Sequence, residues 1–432
     1  MEQKENKVIV FVKKEAVLCA ALLLALVSSF VVRPTANYIT YLDYRVLVLL
    51  FCLMLVVAGF KSLGIFQMLG EKLCSKVHST KGLTLVLVGL CFFASMLITN
   101  DVSLITFIPF TLSVYAMVHC EDILIPVIVL ETIAANLGSM LTPVGNPQNL
   151  LLYSISEMRM GEFILHMLPL TCVSFIIIVV CVCLLPGHQI TLRDKEIQSS
   201  KGWLNGRFVI YCILFLICLG NVVHLISSYW IVGAIVVVTV LLVNRQLFAQ
   251  VDYSLLLTFV GFFIFIGNMK QITVINEWLQ GIIRGNELLV GIISSQVISN
   301  VPAAMLLSGF TTDYKALLYG VNIGGLGTLI ASMASLISYR FYVKAYPMQK
   351  GKYFKEFTIY NVILLVLLYL LIFAFSGQDG EESGSLSAMI SEKCAEILNA
   401  ISGKHWTQNV IDSMAAYFEP PIRKLAQFSE YA

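Results

Sequence analysis

Long apolar stretches of this chain are interrupted by short polar segments, and the interruptions recur in the same order in both halves. In the first half, Thr99-Asn100-Asp101-Val102 divides one stretch. Two segments divide the next: Asn136-Leu137-Gly138-Ser139 and Thr142-Pro143-Val144-Gly145-Asn146-Pro147. The counterparts in the second half are Ser299-Asn300-Val301-Pro302 and Asn322-Ile323-Gly324-Gly325. Apolar segments interrupted by Gly or Pro at matching places in two halves indicate the binding site of a secondary transporter.

The duplication begins before these interruptions. Leu42-Asp43-Tyr44 opens an apolar stretch that ends near Gly59, and Val251-Asp252-Tyr253 opens another that ends near Gly267. The pattern therefore predicts two sequence repeats, a linker between them and a polar, amphipathic tail. In that order, the predicted repeat, linker, repeat and tail cover 1–185, 186–207, 208–375 and 376–432.

Hydropathy predicts an all-α polytopic membrane protein, because many apolar segments approach the roughly 20 residues that a helix needs to cross the bilayer. Two further apolar stretches, about 83–118 and 288–310, are broken in the middle by Thr99-Asn100-Asp101 and Ser299-Asn300-Val301-Pro302. The second stretch is too short for two crossings, so we interpret both as re-entrant hairpins. Nine crossings are predicted near 15–32, 45–60, 121–137, 161–185, 208–226, 229–243, 253–268, 314–338 and 357–375.

A hairpin tip inside the membrane leaves backbone groups without helical partners, and lipid cannot satisfy them. The tips should therefore line a cavity and contribute little helix packing. Each hairpin is followed by a predicted broken helix, over about 121–150 in the first repeat and 314–338 in the second. Each is preceded by a mixed polar and apolar segment, Lys61 to Val77 or Lys270 to Ile283, that favours a helix lying along the interface.

The basic residues predict the orientation, since Lys and Arg concentrate in the predicted loops on one side of the membrane. They place the N-terminus in the cytoplasm and the tail outside, in a cell inner membrane. The first hairpin then enters from the cytoplasm and the second from outside, so the repeats are inverted. The loops on the cytoplasmic side contain Lys4, Lys7, Lys13, Lys14, Lys61, Lys72, Lys76, Lys81, Arg193, Lys195, Lys201, Arg207, Arg245, Arg340, Lys344, Lys350, Lys352 and Lys355.

The composition of the chain also indicates a polytopic membrane protein. Charged residues make up 12% of the chain and hydrophobic residues 58%, whereas soluble domains have about 25% charged residues. The basic residues follow membrane sidedness and form no patch for nucleic acid.

The apolar segment after Ala16 is expected to be retained and not cleaved as a signal. In the tail, an amphipathic helix is predicted from the helical spacing of Ile390, Cys394, Ile397 and Ile401.

Breaks in membrane helices suit the binding of a small anion and its coupling ion. The backbone N–H groups at the start of a half-helix hold an anion without Lys or Arg, while exposed carbonyls and Asn side chains suit sodium. Gly lets the backbone approach a ligand, and Pro prevents the helix from re-forming. The candidate binding residues are Thr99, Asn100, Asp101, Asn136, Gly138, Ser139, Thr142, Pro143, Gly145, Asn146, Ser299, Asn300, Val301, Pro302, Asn322, Gly324 and Gly325.

Two carboxylates lie at predicted membrane depth, where a charge is costly and usually functional. Asp101 lies at a hairpin tip, and Glu131 precedes Asn136 in the same predicted helix. Either can bind sodium when ionised or carry a proton when neutral. We assign coupling first to Asp101, because it lies at a break; Glu131 is the alternative, and a packing role for it stays open.

The motif order from Ala16 to Phe375 resembles the ion transporter superfamily, which includes divalent anion/sodium symporters, citrate transporters and arsenite permeases. In the symporters each hairpin tip carries Ser-Asn-Thr. Thr99-Asn100-Asp101 and Ser299-Asn300-Val301 keep the first two positions in type and lack the final Thr, and Gly145-Asn146-Pro147-Gln148-Asn149 is similar to segments of other anion permeases. The resemblance implies a homodimer in which a transport domain carries the site past a fixed scaffold.

These features predict a secondary transporter of a small anion or oxyanion, coupled to sodium or protons and needing no other cofactor. The alternative within this class is a sodium/proton antiporter. A channel is disfavoured by two opposed hairpins that close a site. An enzyme is disfavoured because the chain has no His-Glu-x-x-His motif and no Gly-x-Ser-x-Gly motif.

Overall fold

The computed structural model describes residues 15–74, 77–190, 206–376 and 407–416, with single positions between 392 and 399. The predicted tail helix at Ile390, Cys394, Ile397 and Ile401 lies outside the described residues. So do the basic residues before position 15 and most of the predicted linker 186–207.

The described residues form helices joined by short turns and single 3₁₀ segments, which confirms the predicted all-α class. In chain order the helices are α1 Ala16–Val31, α2 Tyr44–Ser62, α3 Ile65–Cys74, α4 Thr80–Ile98, α5 Asn100–Met117, α6 Leu124–Gly138, α7 Pro147–Ser156, α8 Met160–Leu184, α9 Gly206–Val222, α10 Tyr229–Asn244, α11 Tyr253–Gln271, α12 Thr273–Ile283, α13 Glu287–Ile298, α14 Asn300–Ser308, α15 Tyr314–Ile323, α16 Met333–Ala345 and α17 Lys350–Ser376.

Seven segments of the described chain are long and apolar enough to cross a membrane. Three shorter apolar helices, α1, α9 and α13, accompany them. The protein is therefore a polytopic membrane protein, as predicted. The seven segments are Tyr44–Ser62, Thr80–Ile98, Glu121–Leu141, Met160–Leu184, Tyr229–Gln250, Tyr253–Gln271 and Pro347–Ile372.

The two predicted hairpins differ in length. Helix α4 has 19 residues and α5 has 18, whereas α13 has 12 and α14 has 9. At 1.5 Å per residue, α4 is roughly 28 Å long and nearly matches the hydrocarbon thickness of about 30 Å, while α13 reaches only roughly 18 Å. The length argument for re-entry thus applies to the second hairpin. Re-entry of either hairpin stays a prediction.

The chain divides into two compact units that interleave along the sequence. The first unit contains Met1–Leu63, Leu150–Glu157 and Gly202–Val321, and the second contains Gly64–Asn149, Met158–Lys201 and Asn322–Ala432. The predicted repeat boundaries concern sequence duplication and stay a prediction.

Helices α2 and α11 in the first unit begin in the same way. Asp43 accepts a hydrogen bond from the backbone N–H of Val46, and Asp252 accepts one from that of Leu255, at 3.0 and 2.9 Å. Each aspartate thereby satisfies an N–H group that the first helical turn leaves free. The repeated Leu/Val-Asp-Tyr sequence therefore encodes a repeated helix start.

The core of the first unit includes a close contact between α1 and α11. A Cβ atom at Gly261 would lie 3.0 Å from the backbone carbon of Ala21, so the two helices approach at a glycine. Nearby, Asn268 Nδ2 donates to Ser28 Oγ at 2.9 Å. Small residues and buried hydrogen bonds of this kind hold membrane helices together without a hydrophobic driving force.

The second unit is built around α6. All of its residues except Pro126 are buried, and it packs against α4, α5, α8, α16 and α17. A helix that is apolar on all sides belongs in the middle of a protein. The polar side chains of α6 are consequently enclosed by protein.

The segments predicted to lie along the interface contain the short helices α3 and α12. In α12, Val274, Trp278 and Ile282 form an exposed apolar stripe at helical spacing. Such a stripe with a Trp is typical of a helix at the boundary between headgroups and acyl chains. Placement of α3 and α12 on the membrane surface remains a prediction.

Candidate functional site

The first polar motif separates two helices at a single residue. Helix α4 ends at Ile98, α5 begins at Asn100, and Thr99 between them has φ 69° and ψ 150°. Non-glycine residues rarely adopt this conformation, which costs roughly 1–3 kcal/mol and occurs mainly at functional sites. The strained residue therefore lies at the tip that the sequence predicted.

Asn100 connects this tip to two other segments of the second unit. Its Nδ2 donates to Asn136 Oδ1 at 2.9 Å, and its backbone N–H donates to the Gly145 carbonyl at 3.2 Å. Its Oδ1 accepts from the backbone N–H of Asp101 at 3.0 Å. Asn100 is only 5% exposed, so both halves of its amide are used inside the protein.

The break after α6 depends on two glycines that no larger residue can replace. A Cβ at Gly138 would lie 2.1 Å from the carbonyl oxygen of Phe92, and one at Gly145 would lie 2.1 Å from that of Ser139. Helix α7 then begins at Pro147, a favourable first position because proline has no N–H to leave unpaired. The Gly and Pro residues of this segment thus fix the path of the backbone.

Asparagine side chains close the loop between α6 and α7. Asn149 Nδ2 lies 3.1 to 3.3 Å from the carbonyl oxygens of Ser139, Met140 and Thr142. Asn146 Oδ1 accepts from the backbone N–H of Asn149 at 2.9 Å, and Asn146 Nδ2 donates to Ser139 Oγ at 3.0 Å. The loop is therefore held by its own side chains.

The corresponding break in the second half runs from the end of α15 at Ile323 to the start of α16 at Met333. Asn322 Nδ2 donates to Asn149 Oδ1 at 2.7 Å, and Asn322 Oδ1 accepts from Asn146 Nδ2 at 3.2 Å. Gly327 has φ 100°, which favours glycine. Reciprocal amide contacts thus link the two broken segments.

Asn136 is the residue at which three breaks meet. Its Oδ1 accepts from Asn100 Nδ2 and from Ser332 Oγ, at 2.9 and 3.0 Å, and its Nδ2 donates to the Gly325 carbonyl at 3.5 Å. Asn136 is 3% exposed. One buried amide therefore joins the tip at Thr99, the end of α6 and the start of α16.

Three further candidates belong to the segments that this network connects. Thr142 is half-buried, and its Oγ1 donates to the carbonyl of Met96 at 2.5 Å. Pro143 and Gly324 are buried. The structure thus brings together in the second unit all the candidates except those of the Ser299 tip.

The tip at Ser299 lies in the first unit and repeats the local geometry of the Thr99 tip. Ser299 has φ 75° and ψ 154°, with α13 ending before it and α14 beginning after it. Asn300 is 3% exposed, yet its side chain makes no hydrogen bond to any residue that the structure describes. Val301 is half-buried and Pro302 is buried. Asn300 is thus enclosed while its amide stays available.

The two candidate carboxylates occupy different environments. Asp101 lies in the first turn of α5 and is partly exposed, where the helix N-terminus favours a negative charge. Glu131 lies in the middle of α6 with no exposed surface. Thr111 Oγ1 donates to its Oε1 at 2.5 Å, and its Oε2 has no hydrogen-bond partner among the described residues.

Sequence reasoning did not include three residues that the structure makes central. Asn149 is one of them, although an Asn in the turn after a break is a recognisable signal for local backbone bonding. Thr111 lies in ordinary helical sequence and Ser332 directly precedes α16, and only their partners, Glu131 and Asn136, give them a role.

The arrangement has the chemistry of a site for a small anion. Helices α5, α7 and α16 begin within the connected segments, and the network contains amides, hydroxyls and backbone groups but no Lys or Arg among its named members. Helix N-termini attract anions through their free N–H groups and dipole. Asn and backbone oxygens suit a hard cation such as sodium.

Comparison with known proteins gives a matching family model and several relatives. The family model described as citrate transporter matches residues 8–316. An uncharacterized transporter of Methanocaldococcus jannaschii is 36% identical over 306 residues, which cover 69% of this chain and 81% of the relative. The inner membrane protein YbiR of Escherichia coli is 30% identical over 318 residues, covering 72% and 84%. The magnetosome protein MamN of Magnetospirillum gryphiswaldense is 24% identical over 306 residues, covering 61% and 69%.

Proposed function

Because the chain belongs to the citrate transporter family, we propose that it is a secondary active transporter that moves a small anion or oxyanion across a cell inner membrane. Movement is coupled to sodium or protons. The protein works as a homodimer by an elevator mechanism. A relative named as an inner membrane protein and the sidedness of the basic residues support the location.

The convergence of three helix breaks on Asn136 is the observation that carries this proposal. A buried amide in the membrane needs partners, and three of the four hydrogen-bonding positions of Asn136 are used by residues at breaks. A sequence that needed only stable helices would not interrupt three of them at one point, because each interruption leaves backbone groups unsatisfied. A bound anion and its coupling ion provide the missing partners.

An elevator mechanism requires the binding residues to move as one body. Hydrogen bonds between Asn100, Asn136, Asn146, Asn149 and Asn322 all lie within the second unit. They restrain the segments that would hold the ligand during movement, which supports the mechanism. Asn300 lies in the first unit and is not part of this hydrogen-bonded set. It is proposed as a ligand contact in its own right, on the evidence of its buried, unpaired amide.

A sodium/proton antiporter is the second candidate function, and the fully buried Glu131 is the observation that favours it. An exchanger needs a carboxyl group that binds one ion or the other. The two functions differ in whether an anion accumulates, so one experiment separates them.

The test is uptake into proteoliposomes of sulfate, arsenite, citrate, succinate and chloride, with and without a sodium or proton gradient. We expect one class of anion to accumulate against its gradient. Sodium-dependent proton movement without anion uptake would select the antiporter. Dissipation of every applied anion gradient without accumulation would indicate a channel and contradict the proposal.

A pair of variants tests the site itself. Asn136→Ala should abolish accumulation, because it removes the amide that joins the breaks. Asn361→Ala is the matched control. Asn361 is also a fully buried asparagine, but among the described residues its Nδ2 bonds only to the carbonyl of Phe357 in its own helix α17. Equal uptake by both variants would show that the binding site does not depend on Asn136.

A further inference from the structure

Glu131 and Thr111 form a buried acid–hydroxyl pair that the network of breaks does not include. Glu131 has no exposed surface, its Oε1 accepts from Thr111 Oγ1 at 2.5 Å, and its Oε2 lacks a partner among the described residues. An ionised carboxylate with one unpaired oxygen is very costly in such a place, whereas a neutral acid is tolerated. This geometry favours a bound proton.

Among the residues that the structure describes, no cation compensates a charge on Glu131. The titratable groups that interact electrostatically with it are Cys74 on α3, Cys91 on α4, Tyr115 on α5 and Tyr353 on α17. All four are neutral in their protonated forms. Helices α8 and α16 also pack against α6, and no titratable group on their described residues interacts with Glu131. An ionised Glu131 would thus depend on solvent or on a bound cation.

A second buried glutamate shows what a merely structural pair looks like. Thr311 Oγ1 donates to Glu287 Oε1 at 2.8 Å, and Thr311 follows Asn300 at the same spacing as Thr111 follows Asn100. Glu287, however, lies in the first turn of α13 and is 5% exposed. The helix N-terminus stabilises its charge there. Glu131 has no comparable support in the middle of α6.

Two buried hydroxyls near Glu131, those of Tyr115 and Thr84, are hydrogen-bonded to each other, and a backbone carbonyl connects them to the segment that contacts His188. Tyr115 lies one helical turn after Thr111 on α5, and its hydroxyl is 2.6 Å from Thr84 Oγ1. Thr84 Oγ1 donates to the carbonyl of Thr80 at 2.8 Å, and Thr80 Oγ1 accepts from the backbone N–H of His188 at 2.9 Å. The His188 side chain is 51% exposed.

We propose that Glu131 is the proton-binding group of the transport cycle and that the hydroxyls of Tyr115 and Thr84 mark its route toward water. This rests on the proposed transport function. A proton from water on one side forms the O–H bond of the Glu131 acid. The structure has the buried Glu131 that this protonated state needs. The bond breaks in a conformation that opens Glu131 to the other side, and the proton passes to water there. One proton then crosses with the anion, and Asp101 is left to bind sodium or substrate.

Infrared spectroscopy of the purified protein tests the protonation directly and needs no substrate. We expect a carbonyl band of a neutral carboxylic acid that is lost in Glu131→Gln and kept in the matched control Glu287→Gln. Retention of the whole band in Glu131→Gln would overturn the proposal. If Glu131→Gln does not fold, Glu131→Asp serves instead. It should shift the band, and an unchanged band would overturn the proposal equally.

Proteoliposomes that contain the pH dye pyranine test the coupling, with whichever anion of the panel the unmodified protein accumulates. We expect Glu131→Gln to lose both accumulation and proton movement while it keeps exchange of labelled for unlabelled anion. Glu287→Gln should retain all three activities, and Tyr115→Phe should slow proton movement without slowing exchange. Accumulation by the unmodified protein without proton movement would overturn the inference, as would full coupling in Glu131→Gln. Unchanged proton movement in Tyr115→Phe would overturn the route.

The two experiments separate the inference from the proposed function. Failure of the unmodified protein to accumulate any anion would count against the transporter, while the infrared band would still decide whether Glu131 holds a proton. Loss of coupling in Asp101→Asn but not in Glu131→Gln would assign the proton to Asp101. That result would overturn the inference about Glu131 and leave the proposed transport function standing.

Discussion

The tips at Thr99 and Ser299 have almost the same backbone but different surroundings. Their φ and ψ angles differ by 6° or less, and each precedes an asparagine that begins a helix. Asn100 uses both ends of its amide inside the second unit, whereas the Asn300 side chain bonds to no described residue of the chain. Local sequence therefore determines the turn, and the packed neighbours determine whether its asparagine is structural or free to bind a ligand.

The largest effect is expected where a break depends on a close backbone approach. Gly138→Ala places a Cβ 2.1 Å from the Phe92 carbonyl, and overpacking of this kind costs roughly 1–3 kcal/mol or more. Thermal unfolding of the purified protein should show a strong loss of stability. The control is Gly89→Ala in α4, which has no neighbour within 4 Å and should gain up to about 1 kcal/mol from helix propensity. Equal unfolding temperatures of the two variants would show that the backbone near Gly138 can shift to accommodate a Cβ atom at little cost.

A second pair of variants tests the contrast between the asparagines directly. Asn100→Ala should destabilise the protein by about 1–3 kcal/mol, because it removes a partner of the buried Asn136 amide. Asn300→Ala should leave the unfolding temperature unchanged and abolish uptake. Both effects are measured on one preparation by thermal unfolding and proteoliposome transport. A similar fall in stability for both variants would mean that the two tips are equivalent after all.

The smallest effect concerns what the tips share. Thr99→Gly and Ser299→Gly should each relieve the roughly 1–3 kcal/mol of strain at a positive φ, offset by about 0.5–1 kcal/mol of added chain entropy. A small rise in unfolding temperature is expected for both. A rise at only one tip would show that the shared backbone conformation is not equally strained at Thr99 and Ser299, and would contradict the view that the two tips have equivalent turns.

The positions of the helix breaks could be predicted because Gly, Pro and Asn act locally. Thr99, Ser299, Gly138 and Pro147 lie at the ends of helices for reasons contained in a few neighbouring residues. The starts of α2 and α11 are equally local, since each depends on one capping aspartate. Secondary structure was therefore accessible from the sequence to within a few residues at these points.

The partners of the side chains could not be predicted in the same way. The bond between Ser332 and Asn136 joins residues that are 196 positions apart, and no periodicity relates them. The interleaving of the two compact units has the same origin, because it depends on which distant helices pack together. Re-entry is equally hard to predict from a motif alone: α13 is too short to cross the membrane, whereas α4, at the corresponding place in the first half, has 19 residues.

The 196 residues between Asn136 and Ser332 also have a consequence for biosynthesis. At the usual 5–20 residues per second, a ribosome needs roughly 10–40 s to reach Ser332 after it has made Asn136. During that time α6 lacks one of the partners of its central amide, along with the helices α16 and α17 that later enclose it. The nascent first half therefore stays in the membrane with the polar groups of α6 only partly covered. During this time we expect it to contact the translocation machinery and not lipid alone.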